Sequence, residues 1–117
     1  MAATATFPQA NYETEGFTLG DTNETTVYTA PAGFEGGFFI TEIWAADEDG
    51  TANTLLVKAT IDSTAYVLGQ AEVVPAATHL QLNFTSLVLN EGDTIKVTAG
   101  SATITGYVGG LQNIRES

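Results

Sequence analysis

One histidine, four serines, fourteen carboxylates and no cysteine set the limits of what chemistry this chain could perform. A hydrolytic triad needs a serine held against a histidine. The candidates are Ser63, Ser86, Ser101 and Ser117, and none lies in a Gly-x-Ser-x-Gly turn. His79 falls on the polar side of "HLQLNF", where it reads as a solvated surface residue. The loop "DEDGTAN" (Asp47, Glu48, Asp49, Gly50, Asn53) is rich in oxygen ligands. It lacks the alternating Asp spacing and closing glutamate of a calcium loop. It reads as an acidic turn, with Asp47 and Asp49 the first ligands should an ion bind. A glycosidase needs two carboxylates about 5–10 Å apart. A chain of 117 residues without a long insertion leaves little room for the deep cleft that reaction also needs. The expectation is a protein that is not an enzyme, with no catalytic residue, no metal and no cofactor.

The charge is as lopsided as the chemistry is sparse. Fourteen acids face three bases, Lys58, Lys96 and Arg115, for a net charge of −11. Residues 1–57 hold nine of the acids (Glu13, Glu15, Asp21, Glu24, Glu35, Glu42, Asp47, Glu48, Asp49) and no lysine or arginine. Such a surface repels nucleic-acid backbones and anionic membranes and favours basic protein surfaces. No apolar run is long enough to span a bilayer. The segment "MAATATFPQA" has neither the basic residues nor the apolar core of a secretory signal. Without cysteine, stability must come from packing or from partners.

The elements that position these residues have a period of two. Leu55, Val57, Ala59 and Ile61 share one face of "TLLVKATI", and Leu80, Leu82 and Phe84 one face of "HLQLNF". Ile95, Val97 and Ala99 share a face of "TIKVTA", and Ile104 and Val108 one of "TITGYVGG". These are half-buried strands. Breaker clusters "APAGFEGG", "DEDG", "NEGD" and "TAGSA" separate them. Strands are predicted near 24–30, 37–46, 52–61, 65–74, 79–84, 86–89, 94–99 and 102–111. The fold class is all-β: an antiparallel two-sheet β-sandwich over residues 23–111, a jelly roll first and an immunoglobulin-like sandwich second. Residues 1–22 show no period and are predicted to form an extended N-terminal arm with apolar anchors Phe7, Tyr12, Phe17 and Leu19; residues 112–117 are predicted to be a C-terminal tail.

One strand breaks the pattern. In "FFITEIWA", Phe39, Thr41, Ile43 and Ala45 alternate with Phe38, Ile40, Glu42 and Trp44, so both faces are largely apolar. Either both are covered within the monomer, or the face of Phe38, Ile40 and Trp44 meets a partner.

The order "TTVYTAPAG", "FFITEIWAAD", "GTANTLLVKAT" and "LNEGDTIKVTAG" resembles small all-β virion proteins of tailed bacteriophages, of the capsid decoration or cement type. The match runs over Thr26 to Gly33, Asp47, Leu55 to Ala59 and Gly92 to Val97, and the N-terminal arm has no counterpart in it. The resemblance implies a non-enzymatic structural protein of the virion, a capsid decoration protein, a head fibre or a tail-associated module; the expectation taken first is decoration of the outer capsid surface. Its partner would be the major capsid protein, and it would form a homo-oligomer, a trimer by the local three-fold symmetry of capsid seams. The expected partner contacts are Phe7, Tyr12, Phe17, Leu19, Phe38, Ile40 and Trp44. The alternative is a tail or head-fibre module that grips a host-surface glycan or protein through Trp44, Tyr66 or Tyr107.

Overall fold

Strict alternation builds the inner wall of the sandwich. Leu55, Val57 and Ala59 on one strand and Ile95 and Val97 on its neighbour are all fully buried. The residues between them, Leu56, Lys58, Thr60, Thr94, Lys96 and Thr98, turn outward. The computed structural model describes residues 9–32, 37–101 and 103–114, with the side chains of all of these except 9–11, 71 and 112–114. Eight strands run through them: β1 (Gln9–Leu19), β2 (Thr25–Thr29), β3 (Phe38–Asp47), β4 (Asn53–Ile61), β5 (Thr64–Val74), β6 (Leu80–Leu89), β7 (Thr94–Ala99) and β8 (Ile104–Ile114).

They form two four-stranded sheets, β1-β8-β3-β6 (sheet A) and β2-β7-β4-β5 (sheet B). All pairs are antiparallel. The pairs β1·β8, β2·β7, β3·β6 and β4·β5 are those of one long hairpin folded over itself, the connectivity of a jelly roll. Leu19, Ile40, Ile43, Ala45, Leu89, Ile104 and Val108 of sheet A close the core against sheet B. Each large aliphatic side chain buried there contributes about 1.5–3 kcal/mol relative to exposure.

Three expectations are corrected. Residues Gln9–Leu19, within the expected arm, form edge strand β1, paired with β8 along its whole length. Its inner face mixes Glu13 and Glu15 with Phe17 and Leu19, and that mixture hid the period. Inward-pointing charge on an edge strand is a known guard against edge-to-edge pairing. The strand β8 continues through Ile114, into the expected tail. The strands expected at 79–84 and 86–89 are one strand, β6, with a register irregularity opposite Ile40 and Glu42.

The third strand explains its own sequence. Ile40 pairs with Gly110 and Glu42 with Gly109, so Thr41 is an extra residue, a β-bulge. Its hydroxyl donates to the Gly109 carbonyl at 3.2 Å. A bulge shifts the side-chain phase by one. Phe38 and Ile40 point into the core before it, and Ile43 and Ala45 after it. Phe39, Glu42 and Trp44 face outward and are half-buried. The predicted common face of Phe38, Ile40, Glu42 and Trp44 therefore does not exist.

Candidate functional site

The outer face of sheet A is where the bulge sends Trp44. Trp44 lies opposite Tyr107 on β8 and Gln81 on β6. The Trp44 and Tyr107 rings stack with centroids 5.8 Å apart and planes 13° from parallel. His79, just ahead of β6, stacks on Trp44 at 5.2 Å and 25°. Parallel, offset rings at these spacings are a favourable aromatic geometry. The row crosses β8 and β3 and ends at the residue leading into β6.

A polar cluster lies one rung away. Glu42 sits opposite Gly109 on β8 and Asn83 on β6. The Tyr12 hydroxyl of β1 donates to Glu42 Oε1 at 2.5 Å, and the Gln81 amide donates to Glu42 Oε2 at 2.8 Å and Asn83 Oδ1 at 3.3 Å. Tyr12 reaches across β8 because Gly109 has no side chain. A Cβ there would collide with the Tyr12 hydroxyl. The hydrogen bond to Glu42 raises the Tyr12 phenol above its ordinary value. Tyr107 is raised by desolvation and then by the Glu42 charge.

The expected contact residues separate into two sets. Trp44 and Tyr12 stand on this face, Tyr12 51% exposed. Leu19, Phe38 and Ile40 are core residues at 1–3% exposure and cannot meet a partner in this fold. Phe17 packs against the core. Phe7 lies outside the described residues. Tyr66, 52% exposed, is on β5 of the other sheet, so it does not join Trp44 and Tyr107. Sequence reasoning missed Glu42, Gln81 and Asn83 as a cluster. The available signal was an acid, Glu42, inside the apolar run "FFITEIWA".

The acidic 47–53 loop is organised by its own hydrogen bonds. Asp47, 8% exposed, accepts from the Asp49 amide at 2.8 Å, the Thr51 hydroxyl at 3.4 Å and the Asn53 side chain at 2.8 Å. The Asn53 bond, ahead of the others, holds the Asp47 carboxyl below its usual value. Both carboxylate oxygens thus face N–H or O–H donors, which suits a turn organiser and not a cation ligand. Among the described residues no three His, Cys, Asp or Glu side chains gather as a metal site. Ser63 and Ser101 sit in the β4–β5 and β7–β8 connections, while His79 is stacked on Trp44.

These features define a jelly-roll β-sandwich with one aromatic, carboxylate-bearing outer face. Comparison with known protein families, curated proteins and solved structures gives no match.

Proposed function

We propose that this chain is a non-enzymatic structural protein of a tailed-phage virion, which decorates the outer capsid surface and cements it by bridging subunits of the major capsid protein. The observation that carries the reading is the contrast between the two outer faces. Sheet B turns out threonines, lysines and aliphatics, Thr54, Lys58, Thr60, Thr94, Lys96 and Thr98 with Leu56, Val67 and Val73. Sheet A turns out Phe39, Glu42, Trp44 and Tyr107, with Tyr12 laid over the glycine of β8. A face of half-buried aromatics with a polar rim has the anatomy of a protein–protein contact, and a tryptophan near its middle is the usual kind of anchor. The jelly roll occurs in viral capsid and lectin domains alike, so the fold alone decides nothing. The ordered resemblance of the β2, β3, β4 and β7 segments to small virion proteins of tailed phages supports a place in the virion.

In this reading sheet A lies against the shell, an interface of standard size burying about 1,600 Å² in total. Copies would gather as trimers at local three-fold seams. The net charge of −11 favours a basic shell surface. A second reading, a tail or head-fibre module that binds a host glycan, is favoured by the aromatic row beside the Glu42, Gln81 and Asn83 polar groups. Mixing the protein with phage heads that lack it, and with tails, tests both. Saturable binding to heads in many copies supports decoration. Binding only to tails, or to host-cell glycans and not heads, overturns it.

A further inference from the structure

Two features of the sheet A face are left over once packing within the chain is accounted for. The first is the charge on Glu42. Its oxygens accept from a phenol and an amide, both neutral donors, so neither hydrogen bond brings a cation to the carboxylate. The two described cations, Lys58 and Lys96, stand opposite each other on sheet B, and Lys58 pairs with Glu24 at 3.6 Å. Neither serves Glu42. The second is a gap in the aromatic row. The β1 neighbour of Tyr107 is Gly16. A Cβ built on Gly16 would meet nothing nearer than the Gly106 carbonyl at 3.8 Å. Because β1 is the sheet edge, the slot between Tyr107 and the Gly16 backbone opens to solvent.

We propose that this slot takes an arginine side chain of the partner, its guanidinium lying on the Tyr107 ring and its N–H groups on the Glu42 carboxylate. This rests on the reading of sheet A as a partner surface and names the group it grips. Guanidinium is planar and weakly hydrated, stacks on aromatic faces and forks onto carboxylates. Lysine offers a point charge without the stacking plane. A neutral sugar would leave the Glu42 carboxylate without a cation. Anionic ligands meet a chain of net charge −11.

Trp44 is the sole tryptophan, so its fluorescence in the full-length protein reports this face without a label. The probes are the peptide Gly-Arg-Gly-Arg-Gly, its lysine and citrulline counterparts, and a neutral oligosaccharide, maltoheptaose. The expected result is a saturable emission change with the arginine peptide, about tenfold weaker binding of the lysine peptide, and none of the citrulline peptide. Glu42→Gln, which removes the charge, and Gly16→Leu, which fills the slot, should each weaken the arginine peptide about tenfold; Gly16→Leu should leave the melting temperature unchanged, and Glu42→Gln, which turns an amide toward Gln81, should lower it by about 5 °C at most. Gly16 lies outside the positive-φ residues, so the leucine introduces no backbone strain. Equal binding of the citrulline peptide, no response to any peptide, a response to maltoheptaose alone, or full binding by both variants would each overturn the proposal. Heads that bind wild type and Glu42→Gln equally well would reject the arginine and leave decoration standing; peptide binding without head binding would do the reverse.

Discussion

Replacing Asn53 by alanine should destabilise the sandwich more than any change on its outer faces. Asn53 is 7% exposed and makes four hydrogen bonds at the start of β4. Its Nδ2 donates to Asp47 Oδ2 and to the Ser101 carbonyl, both at 2.8 Å. Its Oδ1 accepts from the Thr54 amide at 2.8 Å and the Ser101 amide at 3.0 Å. One side chain thus ties the end of β3, the start of β4 and the β7–β8 turn together. Each bond contributes about 1 kcal/mol net, and water can reach the partners at the exposed Ser101, so a loss of roughly 3 kcal/mol is expected. For a chain of this length that is a drop of roughly 10–15 °C in melting temperature. Differential scanning calorimetry at pH 7 gives the number. Asn53→Asp keeps the Oδ1 acceptor but sets a second carboxylate against Asp47. It should be destabilised at neutral pH and recover part of the loss in acid, as one of the pair protonates. An alanine variant melting within about 3 °C of wild type would refute the reasoning, since it would make four buried-end hydrogen bonds worth less than one.

Tyr28, packed on Phe38 with ring centroids 4.9 Å apart, is pushed up to about 12 by burial, helped by the Glu13 and Glu15 charges. A raised phenol favours the folded state below the ordinary value of 10.0, and that contribution disappears as pH rises from there through about 12. Tyr28→Phe should remove the most alkaline step from an ultraviolet phenolate titration and flatten the fall in melting temperature over that window; an unchanged titration would contradict the placement. Gly109→Ala should displace the Tyr12 hydroxyl from Glu42, cost about 1 kcal/mol and speed hydrogen exchange in β1 alone; unchanged β1 protection would show that the Tyr12 contact is idle. Raising salt should weaken head binding, because exposed pairs are screened over about 8–10 Å at 0.10–0.15 M ionic strength; salt-independent binding would point to apolar contact alone.

How much of this could be read from the sequence follows from where the relevant contacts lie along the chain. Strands β4 and β7 were legible because Leu55, Val57 and Ala59, and Ile95 and Val97, recur with a period of two among Lys and Thr, with Leu56 the one apolar residue out of phase. The first strand was not. Its edge position lets Glu13 and Glu15 share a face with Phe17 and Leu19, and alternation then carries no apolar signal. In β3 both faces looked apolar because Phe38 and Ile40 keep one phase and Ile43 and Ala45 the other, with Thr41 between them. A bulge is set by the partner strands, so no window around Thr41 could reveal it. The gap expected at residue 85, between strands at 79–84 and 86–89, is an irregularity within β6. The cluster on Glu42 joins residues 30 and 39 positions away, Tyr12 and Gln81. Only the sheet order brings them together, although Trp44 and Tyr12 were already candidates as residues.

The outward turn of Trp44 bears the most weight, and one paired measurement tests it directly. Trp44→Ala removes the centre of the row and two aromatic contacts, each contributing about 0.5–1.5 kcal/mol, so monomer stability should fall by about 1–3 kcal/mol, short of the 3–5 kcal/mol typical of a core tryptophan. Binding to heads should fall much further, by several kcal/mol, as for a central anchor. Calorimetric melts and co-sedimentation with protein-free heads, run on the same preparations, give both numbers. A small drop in melting temperature with binding abolished is the result this account predicts; heads that still bind the Trp44→Ala protein at wild-type copy number would contradict it.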